Sequence, residues 1–146
     1  MLVAGVAACG AGGGGGGGTV KGTTLTIYSS LPLQGASRAL AGSIVNGEKL
    51  ALAKYAPGGK LGKWTIKYVS LDDSTAQNPG AADEGQTAQN ARRATSDPTT
   101  IFYLGEYNSG GSKVSLPITN KAGIPHISPG NTYVGLTTNE PGSEPG

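Results

Sequence analysis

Glycine supplies 26 of the 146 residues and charged side chains only 14 %, against usual shares of about 7 % and about 25 %. With a hydrophobic share of 36 %, this is material for one domain with a core, and charge-driven disorder is excluded. A net charge of +2 is too balanced to point to nucleic acid or a membrane surface. One Cys and one His exclude an internal disulfide and a Cys- or His-based metal centre, and no Asp-x-Asp-x-Asp loop is present, so no metal or other cofactor is expected.

Residues 1–8 form an uncharged apolar run ending in small residues, followed by Cys9 and by a Gly-only run from Gly12 to Gly18. A small-residue cleavage site behind an apolar run is how a secretory signal ends, and Val6-Ala7-Ala8-Cys9 resembles the lipobox of bacterial lipoproteins. The expectation is a signal peptide over 1–8, truncated at its start. A lipidated Cys9 with a Gly-rich tether over 9–22 would follow, with a reach of roughly 20 Å. The alternative is an incidental thiol in a low-complexity start. The Gly run also satisfies Gly-x-Gly-x-x-Gly, but a dinucleotide fingerprint has to follow a strand and open a helix. No other stretch approaches the roughly 18 apolar residues of a membrane-spanning helix.

Leu25 to Ser29 reads as a first strand, ending in the loop Ser-Leu-Pro-Leu-Gln-Gly. Between Arg38 and Tyr55, Leu40, Ile44, Ala51 and Tyr55, with Gly47, recur at helical spacing. They predict a helix packing that stripe on a sheet, stopped by Pro57-Gly58-Gly59. Trp64 to Leu71 is a β-branched and aromatic second strand. Pro79 to Thr95 suits a helix with early acids and late arginines. Thr99 to Leu104 predicts a third strand, Lys113 to Lys121 a helix despite Pro117, and Ile124 to Ile127 a fourth strand. This alternation predicts an α/β fold, a parallel sheet with helices on both faces. Ligands of such sheets bind at the carboxyl ends of the strands, here Ser29–Gly35, Asp72–Thr75, Gly105–Ser112 and Ser128–Thr132.

Several chemistries fail in those loops. A P-loop needs Lys where Gly111 stands. A nucleophile elbow around Ser109 needs Gly where Tyr107 stands. Asp72 and Asp73, adjacent in a strand, point to opposite faces and cannot easily share a proton; they are expected to start a turn or cap the next helix. His126, in a short apolar strand, reads as a satisfied, partly buried histidine. Neutral donors and acceptors remain, Ser109 and Thr132 among them, able to hold a carboxylate or an ammonium without reacting with it; they suit a binding site and ordinary turns equally.

Six segments come in the order and spacing of a known family: Leu33-Gln34-Gly35, Asn46 to Ala53, Val69 to Ser74, Gln86 to Arg92, Tyr103 to Gly110 and Ala122 to Thr132. Over about Leu25 to Thr138 the chain resembles the amino-terminal lobe of branched-chain amino-acid ABC transporter substrate-binding proteins, which have the type 1 periplasmic-binding-protein fold. The resemblance implies a non-enzymatic, extracytoplasmic, lipid-anchored protein that closes two lobes on an amino acid or amide and delivers it to a permease. It implies ligand contacts from Ser109, Asn131 and Thr132, with Gly130 in the same loop and Tyr107 as a wall. Residues 23–146 would be one lobe, the second being absent. Leu40 stands where some members carry an aromatic residue, and Thr75 and Asn108 where some carry a disulfide. A ligand-sensing receptor domain on the same fold is the alternative; a neighbouring permease and ATPase gene pair would favour transport, a fused kinase or DNA-binding domain sensing.

Overall fold

The structure, a computed structural model, describes Val20 and residues 22–138. The expected signal segment, Cys9 and most of the tether lie outside the described residues. Five strands form one sheet in the order β2-β3-β1-β4-β5: β1 (Thr24–Leu31), β2 (Lys60–Leu61), β3 (Trp64–Asp72), β4 (Thr100–Leu104) and β5 (His126–Ile127). The pairs β1–β3, β1–β4 and β4–β5 are parallel. Only β2, absent from the sequence reading, is antiparallel to its neighbour. It is a two-residue edge reached through the positive-φ turn at Gly62, too short to carry a period-2 pattern.

Three helices fill the crossovers: α1 (Arg38–Tyr55), α2 (Glu84–Ser96) and α3 (Ser109–Lys121). They cover both faces. Successive β1 side chains alternate between the faces, as a strand requires. Leu31 packs with Ala41 and Val45 of α1, while Tyr28 packs with Tyr103, Leu71 and with Ala91 and Ala94 of α2. The second cluster also takes in Ile118 of α3.

The buried face of α1 is not the expected stripe. Leu40 is 50 % and Tyr55 68 % exposed, while Ala41 and Val45 are buried. The packed face runs one residue further round, through Ala41, Ile44 and Val45. It includes Glu48, whose carboxylate accepts a 2.5 Å bond from the Tyr68 hydroxyl of β3. The stripe read from spacing shares only Ile44 with this face: a small Ala at 41 lets the helix sit close to the sheet, and a bonded Glu at 48 is tolerated beneath it.

The face of α2 follows the same logic with smaller residues. Thr87, Asn90, Ala91 and Ala94 are its buried positions, spaced by three and four as one helical stripe. The helix starts at Glu84 rather than Pro79, because Asp83 caps it by accepting from the Gln86 amide at 2.9 Å. α3 likewise buries Gly111, Ser112, Ser115 and Thr119. It begins four residues earlier than expected, at Ser109, and runs through the exposed Pro117.

Candidate functional site

From β1 the chain moves through α1 to β3 on one side, then crosses back through α2 to β4 on the other. The winding thus reverses between β1 and β4, and the crevice outside their carboxyl ends is where open α/β sheets take ligands. The loop after β1 is tied to the end of β3. Asp72 accepts from the Leu33 amide at 2.9 Å, from Gln34 Nε2 at 2.7 Å, and from the amide and hydroxyl of Ser74 at 2.9 and 2.5 Å. Partial burial opposes ionisation of Asp72, but these bonds outweigh it and hold the carboxyl below its ordinary range. Gly35 (φ +61°) closes the corner, since a Cβ there would come within 2.6 Å of the Pro79 carbonyl carbon.

After β4 the chain enters α3 through Gly105-Glu106-Tyr107-Asn108. Asn108 is the N-cap residue but forms no side-chain cap. Its Oδ1 instead accepts from the Ala82 amide at 3.1 Å, so the side chain caps none of the first-turn N–H groups of α3 at the switch point, although the Gly111 amide donates to the Asn108 carbonyl at 3.0 Å. Ser109 opens the helix, and its hydroxyl oxygen accepts from the amides of Thr132 and Tyr133, each at 3.3 Å.

The loop after β5 is stapled onto this one. The Ser128 hydroxyl donates to the Glu106 carbonyl at 2.6 Å and accepts from the amides of Gly130 and Asn131. Asn131 Nδ2 donates to the Ser112 hydroxyl at 2.6 Å, while Asn131 Oδ1 is buried and unpartnered. A Cβ on Gly130 would lie 2.6 Å from the Tyr107 ring, so only glycine lets the two loops close up there. The structure therefore brings Tyr107, Ser109, Gly130, Asn131 and Thr132 into one place, with the Asn131 side chain turned inward and Thr132 exposed. A cavity of about 320 Å³ between α3 and residues 126–137 takes in Asn131 and Thr132 but neither Ser109 nor Tyr107.

Of the two adjacent aspartates only Asp72 serves the turn. Asp73 caps nothing: it is fully buried, as is Glu106. The Glu106 carboxyl is the buried neighbour of the Asp73 carboxyl, with no donor between them, and its Oε1 accepts from the Tyr103 hydroxyl at 2.7 Å. Burial, reinforced by the second carboxyl, pushes Glu106 far above the carboxylate range, and burial also raises Asp73. Sequence reasoning missed Glu106. A lone acid between Gly105 and Tyr107 has no acidic neighbour within reach along the chain, and only the β3–β1–β4 order brings Asp73 to it. Its one available signal was its place in a strand-end loop.

His126 is as expected. Its Nε2–H donates to the Gly105 carbonyl and its Nδ1 lies 3.1 Å from the Thr119 hydroxyl. Burial holds it below its ordinary value, hence neutral. Gly111 has no room for a side chain, since a Cβ would lie 2.9 Å from Glu106 Cγ and from Ala82 Cβ. A phosphate-binding Lys could not occupy that position.

No family model matches the sequence, and no curated protein does. Solved structures do. A protein from Rhodospirillum rubrum assigned as a branched-chain amino acid ABC transporter aligns at 25 % identity and a TM-score of 0.64, over 75 % of this chain and 30 % of its own. The branched-chain amino acid transporter substrate binding protein LivJ from Streptococcus pneumoniae, in complex with isoleucine, aligns at 22 % identity and a TM-score of 0.66, over 83 % and 32 %. The fold is a type 1 periplasmic-binding-protein lobe. A solute binding protein from R. palustris in complex with 4-hydroxybenzoate shares it at 16 % identity and a TM-score of 0.63, over 75 % and 27 %. The chain thus spans less than a third of the length of each of these structures. Among the described residues no helix is long and apolar enough to cross a membrane.

Proposed function

We propose that this chain is the amino-terminal lobe of an extracytoplasmic solute-binding protein serving an ABC importer, and that it recognises the carboxylate end of a branched-chain amino acid or a similar small amphiphile. One observation carries the reading: α3 opens at the switch point with its Asn108 side chain turned away and the Ser109 hydroxyl in its first turn, against the backbone of Thr132. Such a helix start favours negative charge, and neutral hydroxyls hold a carboxylate without reacting with it.

In this reading the Ser109 and Thr132 hydroxyls bind the ligand, and the Tyr107 ring seated on Gly130 forms a wall. Asn131, engaged with Ser112, braces the loop. The neighbours support the ligand class, since one is solved with isoleucine and another with a carboxylate-bearing aromatic. They also support a binding protein over an enzyme. A second lobe would close over the first by a hinge, as periplasmic binding proteins do. Anchoring through a lipidated Cys9, with a tether ahead of the lobe and delivery to a permease, completes the proposal.

Calorimetric titration with leucine, isoleucine and valine tests it. The protein with both lobes of the proposed clamp should bind at least one of them, and Ser109→Ala/Thr132→Ala should weaken that binding by at least tenfold, as loss of hydrogen bonds to a charged group implies. A double variant that binds as well as wild type would remove the site assignment.

A further inference from the structure

Glu106 touches more of the site's framework than any residue proposed to meet the ligand. Its amide donates to the Ser112 hydroxyl at 3.3 Å, and the same hydroxyl accepts from Asn131 at 2.6 Å. Its carbonyl accepts from Ser128, at the start of the second loop. Its carboxyl meets Tyr103 of β4 and Asp73 at the end of β3. The whole residue is buried beneath Gly111, where no side chain intervenes.

Three carboxyl oxygens in this cluster, both of Asp73 and Oε2 of Glu106, have no donor. Two buried carboxylates side by side without a donor between them would be strongly disfavoured. A single proton on Glu106, donated to Asp73, leaves the pair with one charge and one charge-assisted hydrogen bond, which gives a partner to two of the three oxygens.

We propose that Asp73 and Glu106 hold one proton between them, and that this protonated pair is the positioning element that fixes the 105–112 and 128–132 loops in their ligand-facing geometry. The proposal rests on the reading of those loops as the binding site, but its test does not require ligand. The other groups acting on the pair are the hydroxyls of Tyr103 and Ser30, the Asp72 carboxylate one residue away, and, through the Gly105 carbonyl, the His126 imidazole.

The sign of the pH dependence follows. Glu106 is raised on folding, so its contribution is complete below its unfolded value and is lost as pH rises through the folded one, to about 9. His126 is lowered, so its contribution is lost only as pH falls below about 6.5. Between about pH 6.5 and about pH 9 the pair should therefore dominate these two effects.

The experiment is thermal unfolding of the full chain across that range, together with amide hydrogen-exchange protection at Gly111, Ser112 and Asn131, corrected for the intrinsic rate at each pH. Wild type should lose midpoint temperature and loop protection as pH rises. Glu106→Gln, which keeps a neutral donor for Asp73, should fold and flatten both profiles. Glu106→Ala should lose loop protection at every pH. A Glu106→Gln profile as steep as wild type overturns the proposal, and so does Glu106→Ala with undiminished protection. If the profiles behave as stated but no amino acid binds, the pair stands and the proposed function falls.

Discussion

Asn90 shows how a single polar side chain can secure this lobe. From the buried face of α2 it donates to the Ser30 hydroxyl at 3.1 Å and to the Asp72 carbonyl at 2.9 Å, and accepts from Gln86 at 3.0 Å. It thus joins a helix to the ends of two strands. Asn90→Ala would leave buried partners unsatisfied, and chemical denaturation should report a loss of about 1–3 kcal/mol. Gly111→Ala should cost a similar about 1–3 kcal/mol for a different reason, since its methyl would enter the space of Glu106 and Ala82. Individual site residues were legible to different degrees. The loops holding Ser109 and Thr132 could be named from strand-end logic and family likeness. Asp73 and Glu106 could not be paired, because 33 positions of chain separate them and only the folded sheet brings them together.

At the scale of elements, small residues set how closely helices approach the sheet. The buried positions of α2 and α3 are Ala, Thr, Asn, Ser and Gly, a polar composition that hydropathy alone would place at the surface. Strands and crossovers were legible because β-branched runs such as Trp64 to Leu71 alternate with Gly- and Pro-punctuated loops. Helix faces and starts were less so. The face of α1 turns on Ala41 and on Glu48 bonded to Tyr68, and the start of α3 lies in a Ser-Gly-Gly stretch of poor intrinsic helix propensity. Two substitutions check the face of α1 and what it packs against. Leu31→Ala, at a fully buried position against Ala41 and Val45, should cost about 2–5 kcal/mol. Leu40→Ala, at a half-exposed position, should stay within about 0.5 kcal/mol of wild type. Equal losses in a denaturant titration would restore the stripe read from spacing.

For the whole molecule, the sheet order places one crevice at the reversal of winding, and the 107–109 and 128–132 loops meet there. In the proposed function the lobe presents one wall of a clamp, so on its own it should hold an amino acid only weakly, at roughly millimolar affinity. Weak binding to one wall is still visible in the chemical shifts of the amides it touches. The most direct measurement is therefore a ¹H–¹⁵N shift titration of this chain with L-isoleucine. The account predicts shifts concentrated at Ser109, Gly110, Gly111 and Thr132, reduced in Ser109→Ala/Thr132→Ala. Shifts confined to the opposite end of the sheet, around Thr95 to Ile101, or no shift at saturating concentrations of isoleucine, would contradict it.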